Sequence, residues 1–577
     1  MASAPDLAAQ PAHGPRRFDW PVWALLAGSL ALHLLLASIP GVPEARWLTT
    51  WTRAAVEYGA SHVSEHVSFD GPPGYLYLLE TVGILVGHPL PADGSLAIRL
   101  LIRLPPMLAD LATAWCLFRI ASAAVPRARA LLVLAAYAYN PALLLNSAVC
   151  GRPESLTSLL LLLAAAFIWR GSPAFGGGAF GAALMTQLYA LAVLPVLTLV
   201  VAQRGRLAGC FAAVRGAGIA LLLLLFPFYW ARRGSAVIEG ILSPASRVSF
   251  LSLGAHNVWW LAGGGSTSRW ISDAKRVGNA ALTYRALGEV LFFTAMGLIA
   301  WRLWRDLRRA PQETPAALSE ACTLQLLAIY LFPTGVSGHV LVPVLVFAAA
   351  LCIWRPTGWG LYAALSVAAL ISPAPTSIGP PAALFTADQR AGVGVSVLLI
   401  AVFAFLLFRT PDRRFRALAP VAAAGVAAAV SVVAVLPWPR TQRLSDWQPV
   451  AWWQDRYEPH LDRAVQGGRL SVGGLIFRHG IGTQANSQLT YHLNGAFRSF
   501  DTLYAVDDDA LVAPKVQFRI LVDGEPRFDS GTVGRGIPPG HVRVAVDGAQ
   551  LLTLEALDGG DGIEGDHADW LEPMLER

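Results

Sequence analysis

The sequence predicts a polytopic α-helical membrane protein of about 13 transmembrane helices with a C-terminal extracytoplasmic β-sandwich. Three observations predict it. Of 577 residues, 55% are hydrophobic and 14% charged, against about 25% charged in a soluble protein, and the mean hydropathy is +0.49. Apolar runs of about 20 residues, each long enough to cross about 30 Å of hydrocarbon, recur up to about residue 437. Beyond residue 440 those runs stop, acids become common, and alternating patterns take over.

The runs predict helices over 21–38, 98–122, 131–148, 154–169, 175–186, 188–202, 208–230, 286–303, 318–333, 339–354, 357–372, 390–408 and 417–437. The short pair at 175–202 reads as a re-entrant hairpin. With the tail 1–20 in the cytoplasm, the loops "VPRAR", "AQRGR", "WRLWRDLRRA" and "FRTPDRRFR" all fall on the cytoplasmic side, as the positive-inside rule requires. An odd number of helices then puts everything after Pro437 outside the cell or inner membrane. The membrane domain is 21–438, with external loops at 39–97 and 231–285. Inside the first loop, "RWLTTWTRAAVEYG" is amphipathic and suited to lie in the headgroup region. Arg16 and Arg17 precede the first run and no small-residue cleavage site follows, so that run is a membrane helix rather than a signal peptide.

Segment 439–460, rich in tryptophan, reads as an interfacial linker using Trp438, Trp447, Trp452 and Trp453 as anchors. Residues 461–577 read as the sandwich. "KVQFRILV" alternates Val516, Phe518, Ile520 and Val522 against polar neighbours, and "HVRVAVDG" alternates Val542, Val544 and Val546. Such period-2 runs between "DG" and "GG" turns are half-buried strands. The five cysteines lie in or beside apolar runs without metal-ligand spacing and read as packing residues. The C-terminal region has none, so it is not a disulfide scaffold. The net charge of +6 sits in loops between apolar runs; the partner it implies is the lipid bilayer, and nucleic acid is not expected.

Several segments resemble the glycosyltransferase C (GT-C) superfamily, in particular its polyprenyl- or dolichyl-phosphate-sugar-dependent mannosyl- and glucosyltransferases. Glu44 stands seven residues before Trp51, where the family carries an Asp. "FDGPPGYLYLL" resembles its Asp-Tyr-Pro-Pro element, "RLPPMLADLATAWCLFRIA" its second helix, and "YAYNPALLLNSAVCGRPES" its Asn-Pro…Asn-Ser…Trp-Gly-Gln-x-Asp segment. "GAHNVWW" matches a recurrent external loop. The chain departs from the pattern at Cys150 to Glu154, at Met185-Thr186-Gln187 in place of Lys-Pro-Gln, and at His339 in place of Arg. The C-terminal stretches "LSVGGLIFRHGIGTQANSQLTYHLNGAFRSFDTLYAVDDDA", "FRILVDGEPRFDSG" and "DGIEGDHADW" resemble the NPCBM family, carbohydrate-binding modules with a galactose-binding-like jelly roll.

The resemblance implies sugar transfer from a polyprenyl-phosphate donor to an extracytoplasmic glycan, lipid or protein. That chemistry needs a carboxylate to take the acceptor's proton and donors to hold the departing phosphate. Glu44, just outside the first helix, is the candidate base. Asp70 is the second, although Asp-Gly before Pro72-Pro73 is also a common turn. Arg103, Arg152, His339 and Gln187 are the candidate phosphate ligands. Glu154, which also suits a helix start, forms the candidate substrate pocket with His256, Asn257 and Trp260. A divalent cation is an option at the transferase site. A structural Ca2+ is an option in the terminal domain, where "VDDDA" and "DGGDGIEGDHADW" bring acids together without EF-hand spacing. The competing expectation is a catalytically inactive membrane-anchored glycan-binding protein. A transporter would need inverted repeats and mid-membrane charge, which the nearly charge-free runs 131–148, 208–230 and 417–437 do not suggest.

Overall fold

The computed structural model describes residues 19–39, 44–63, 72–87, 90–91, 95–231, 251–252, 254–262, 273–274, 277, 282–372, 389–408, 441–510 and 514–576. The chain divides into two compact units, residues 1–427 and 428–577. The first is helical: α1 (Trp20–Ala37), α2 (Glu44–Tyr58), α3 (Gly74–Val86), α4 (Leu96–Ser122), α5 (Arg127–Ala138), α6 (Glu154–Trp169), α7 (Pro173–Leu184), α8 (Leu194–Trp230), α9 (Tyr284–Arg309), α10 (Thr314–Leu331), α11 (Val342–Trp354), α12 (Gly358–Ile371) and α13 (Gln389–Phe408). Every expected helical run up to residue 408 is present; 417–437 lies outside the described residues. Among the described residues, six spans are long and apolar enough to cross a membrane: 20–37, 96–122, 127–149, 188–205, 207–230 and 284–309. The chain is therefore a polytopic helical membrane protein, with fewer full-length spans among the described residues than the 13 expected.

Local signals set several helix ends. Ser95 accepts the Ile98 amide (3.3 Å) to start α4, and Asn140 accepts the Ala142 amide (2.9 Å) where Pro141 restarts the helix after α5, as N-caps do. α8 bonds as one helix but doubles back. A side chain at Gly209 would sit 3.3 Å from Val201 Cγ1, eight residues earlier, whereas a straight helix would separate them by about 12 Å. The reversal falls at the expected "AQRGR" loop. α7 and the second half of α8 then approach backbone to backbone. A Cβ at Gly177 would collide with the Ala213 carbonyl, and one at Gly216 with that of Ala174, the small-residue packing of membrane helices.

Three of the basic loops, those around Arg127, Arg204 and Arg308, gather at one end of the bundle. There Arg127 pairs with Asp19, Arg204 donates to the Trp169 carbonyl, Gln203 donates to the Leu307 carbonyl (2.8 Å), and Arg355 pairs with Glu313. At the other end, segment 39–97 is more than a loop. α2 and α3 pack on each other around Ala54, Ala55, Leu76 and Leu79, all buried. Tyr77 of α3 donates to the Leu224 carbonyl (2.7 Å), six residues or about 9 Å short of the Trp230 end of α8. α3 thus lies below the end of a membrane span, with Ile84, Leu85 and Val86 more than half exposed. Its 13 residues are too few to register as a span, which is why the sequence left it in a loop.

The second unit is a β-sandwich. One sheet runs in the order β11-β8-β13-β6-β3 with β1 added on β13; the other runs β10-β9-β12-β7-β2. The strands are β1 (Thr441–Arg443), β2 (Ala451–Gln454), β3 (His460–Leu461), β4 (Leu470–Val472), β5 (Leu475–Phe477), β6 (Gly480–Gln484), β7 (Ser487–His492), β8 (Ser499–Val506), β9 (Lys515–Val522), β10 (Glu525–Gly534), β11 (Gly540–Ala545), β12 (Leu551–Asp558) and β13 (His567–Glu576). Val516, Phe518, Ile520 and Val522 alternate inward as expected, and so do Val542 and Val544. The expected linker 439–460 is a correction. β1 pairs with β13 and β2 with β7, so the sandwich begins by Thr441. Trp447 packs on Phe497 with ring centroids 5.7 Å apart. Short strands with few alternations had hidden this start.

Candidate functional site

The candidate site is built where α1, α2, α4 and the start of α6 meet. The helix after Pro141 widens into a π turn over Leu145–Val149, a distortion frequent at functional sites. It delivers Cys150 and then Gly151, whose φ of 73° is the left-handed conformation that glycine tolerates. Tyr75 of α3 donates to the Gly151 carbonyl (2.9 Å). A Cβ at Gly151 would lie 3.0 Å from Leu48 of α2 and 3.1 Å from Arg103, so three elements close on this one turn. Arg152 and Glu154 follow, the guanidinium Nε 3.5 Å from Glu154 Oε1. Glu154 is 3% exposed and Arg103 is fully buried.

Arg103 anchors the end of α1, donating from Nη1 to the carbonyls of Ala37 (2.5 Å) and Ile39 (3.3 Å). The turn after α7 closes the side of the cluster. The Gly74 amide donates to the Met185 carbonyl (2.6 Å), tying "DGPPG" to "MTQ". The Thr186 and Thr157 hydroxyls are bonded at 2.9 Å. Tyr189 lies within electrostatic reach of both Glu154 and Arg152. His339, 3% exposed, stands in the turn Gly338–Leu341 within reach of Arg152.

The structure therefore brings Arg103, Arg152, Glu154 and His339 together and places Gln187 on the adjoining turn. Glu44 opens α2, one helical turn before Leu48, but its side chain lies outside the described residues, as does Asp70. Glu154, beside Arg152, is the carboxylate that the described residues give this cluster. That set by itself does not make a divalent-cation site. Tyr75, Tyr189 and the Thr157–Thr186 pair were not foreseen; their apolar surroundings in sequence mark them only as helix residues.

His256, Asn257 and Trp260, expected in the pocket wall, are held against α10. They are 0%, 0% and 4% exposed. Asn257 Oδ1 accepts the amides of Trp259 and Trp260 (both 3.1 Å), and its Nδ2 donates to the Tyr330 carbonyl (3.2 Å). The His256 amide donates to Tyr330 Oη (2.9 Å), and its ring lies edge-on to Trp260. These contacts tie the loop to α10. Gly254 bridges to Ser337, two residues before His339, so the loop supports the site from behind.

The sandwich carries a second polar centre. In the loop between β12 and β13, one ligand atom each from Asp558, Asp561 and Asp566 lie within 4.8 Å of one another. Asp558 Oδ1 accepts the amides of Gly560, Asp561 and Gly562. Asp566 is fully buried and neither of its carboxylate oxygens has a hydrogen-bond partner. Burial and the charges of Asp561 and Asp558 push its carboxyl up to about 7. Gln484 holds the loop by donating to the Ile563 carbonyl (2.7 Å). This is an all-oxygen donor set. Nearby, burial raises Asp507 and raises Asp569 well above the carboxylate range. Burial also acts upward on Asp509, but the hydrogen bond from His567 (2.6 Å) outweighs it and leaves that carboxyl lowered.

Residues 440–576, a span that coincides with the strands from β1 to β13, match the family model described as NPCBM/NEW2 domain. The C-terminal unit is an NPCBM domain. Residues 54–245, from α2 through the end of α8, match the model of GPI transamidase subunit PIG-U. The chain is thus a helical membrane protein, similar over that stretch to PIG-U, that ends in an NPCBM domain. The chain is 32% identical over 123 residues to alpha-1,3-galactosidase B of Akkermansia muciniphila, covering 21% of this chain and 15% of that protein. It is 24% identical over 101 residues to an endo-alpha-N-acetylgalactosaminidase homologue of Renibacterium salmoninarum, covering 18% of this chain and 7% of that one. The matches therefore span a small part of these relatives. Among solved structures, the CBM51 of Clostridium perfringens GH95 in complex with methyl-galactose is 28% identical over 23% of this chain and 99% of that one, with a TM-score of 0.23. Arabinosyltransferase EmbB from Mycobacterium smegmatis aligns over 99% of this chain and 66% of that one at 15% identity, TM-score 0.33. With both scores below 0.5, the family models carry the assignment.

Proposed function

We propose that this protein is an integral-membrane glycosyltransferase that moves a sugar from a polyprenyl phosphate to an extracytoplasmic acceptor, with the NPCBM domain binding a glycan of that acceptor. The observation that supports it most is the cluster of buried Arg103, Glu154 and His339 with half-buried Arg152 beside α2, the helix that Glu44 opens. In this reading Glu44 takes the acceptor's proton, Asp70 orients the acceptor, and Arg152 with His339 and Gln187 holds the departing phosphate. Glu154 then sets the Arg152 guanidinium in place, a charge-assisted contact that fixes its direction. In the NPCBM domain, Asp558, Asp561, Asp566 and Gln484 would hold Ca2+, whose charge offsets that of the three carboxylates. The N-terminus lies in the cytoplasm and the sandwich outside.

The test is transfer by the purified protein from polyprenyl-phosphate sugars, with Glu44→Gln and Arg152→Gln alongside. The expected loss for Glu44→Gln is about a hundredfold or more, within the usual contribution of a general base; unchanged transfer removes Glu44 from the mechanism. A second reading, a non-catalytic membrane-anchored glycan binder, is favoured by the pairing of Arg152 with Glu154, which cancels charge a phosphate would want. The PIG-U description, a subunit of a larger enzyme, points the same way. Glycan binding by the whole protein with no transfer from any polyprenyl-phosphate donor would select that reading.

A further inference from the structure

Two ionisable side chains sit inside the bundle, away from the cluster above. His33 of α1 and Asp110 of α4 are 1% and 2% exposed, with Nε2 and Oδ2 3.7 Å apart. Ionisable groups at such a depth are expensive and mark function more often than packing. The surroundings fix how many protons they hold. His33 Nδ1 lies 2.7 Å from the Ser29 carbonyl oxygen, which can only accept, so Nδ1 carries a hydrogen. Ser29 is itself held, its hydroxyl donating to the Ala138 carbonyl (2.7 Å). With Nδ1 protonated, a neutral imidazole would turn the bare lone pair of Nε2 toward Asp110, and an ionised Asp110 has only lone pairs to return. Neither Nε2 nor either Asp110 oxygen has a hydrogen-bond partner. An unshared carboxylate in this setting would carry a desolvation cost of several kcal/mol. One proton between Nε2 and the carboxylate removes it, either as imidazolium and carboxylate or as imidazole and carboxylic acid.

The pair also has a place in the architecture. Asp110 and Arg103 are seven residues apart on α4, two turns along one face. Arg103 grips the carbonyls of Ala37 and Ile39, and Asp110 meets His33 one turn further down α1. α4 therefore grips α1 at two heights, and the upper grip lies five residues before Glu44. The other polar groups about the pair are Thr113 of α4, whose hydroxyl donates to the Ala109 carbonyl (2.7 Å), Tyr137 of α5 and Tyr362 of α12. Both tyrosines lie within electrostatic reach of Asp110.

We propose that His33 and Asp110 share one proton within the membrane domain, and that this shared proton makes them positioning residues that hold the Ala37–Ile39 end of α1 on Arg103, beside the start of α2. The positioning role rests on the transferase reading; the shared proton does not. In Asp110→Asn, the amide nitrogen donates to Nε2 in place of that proton; in Asp110→Ala, Nε2 is left without a partner.

The experiment uses the whole protein in nanodiscs, with Asp110→Asn, Asp110→Ala, His33→Ala and the double alanine variant, read by thermal unfolding and by transfer. Asp110→Asn is expected to unfold near the wild-type midpoint and Asp110→Ala well below it. His33→Ala is expected to lower kcat about tenfold with KM little changed, and the double alanine variant to be no worse than either single one. An Asp110→Asn midpoint as low as that of Asp110→Ala, or losses that simply add in the double alanine variant, overturns the proposal. If His33→Ala does not fold, the comparison of Asp110→Asn with Asp110→Ala decides. If the wild type transfers no sugar from any donor, the transferase reading and the positioning role fall together, and the unfolding cycle still decides whether the proton is shared.

Discussion

Asp566 shows what a single residue's surroundings can do. Its carboxyl is raised by burial and by Asp561 and Asp558 to about 7, above an unfolded value near 3.9. A raised folded value stabilises below the unfolded one and loses that stability as pH climbs through the folded one. Without a divalent cation, the unfolding midpoint of the sandwich should therefore fall between about pH 4 and 7. Ca2+ at pH 7 should raise it by several degrees, and Asp566→Asn should remove both effects, as calorimetry of the whole protein with Ca2+, Mg2+ or chelator would read. A midpoint indifferent to Ca2+ excludes the cation. The acid-rich loop was legible in "DGGDGIEGDHADW"; that Asp566 alone turns fully inward was not, because turn residues carry no alternation to read. Likewise Glu154 was legible as a helix-start acid after Pro153, whereas its neighbours Tyr75 and Thr186 reach the same turn through contacts with no sequence signature.

Packing between elements supplies the next test. α7 meets α8 through glycines and alanines, and Gly177 leaves no room for a side chain against the Ala213 carbonyl. Gly177→Val should part the two helices and cost roughly 1–3 kcal/mol, the usual range for overpacking, seen as a lower unfolding midpoint in detergent. Gly178→Ala should leave it unchanged or raise it: the added methyl meets Gly216 O at an ordinary 3.6 Å, and alanine is the better helix former. Equal losses at both positions would contradict this packing. Hydropathy foretold both helices and the "AQRGR" reversal. It missed α3, since 13 residues interrupted by Glu80 and Thr81 are as consistent with a loop anchor as with a helix below the headgroups. It also misplaced the start of the sandwich, where the three and four residues of β1 and β2 are too few for a period to show.

For the whole molecule, the gathering of Arg127, Arg204, Arg355 and their partners at one end of the bundle predicts its orientation. A cysteine at Gln312, in the turn before α10, should react with an impermeant maleimide only in opened cells, and one at Glu525 in the sandwich should react in intact cells. Labelling of both from outside would reverse the topology. The sequence by itself determined that the chain is a membrane bundle followed by a sandwich, because length and polarity of a run decide its solvent and period-2 alternation decides a strand. Only the tertiary structure decided that Arg103, Arg152, Glu154 and His339 meet, and that His33 faces Asp110. A helix that is apolar on every side does not encode which of its faces will find a neighbour; that is settled by which side chains fit when the helices pack.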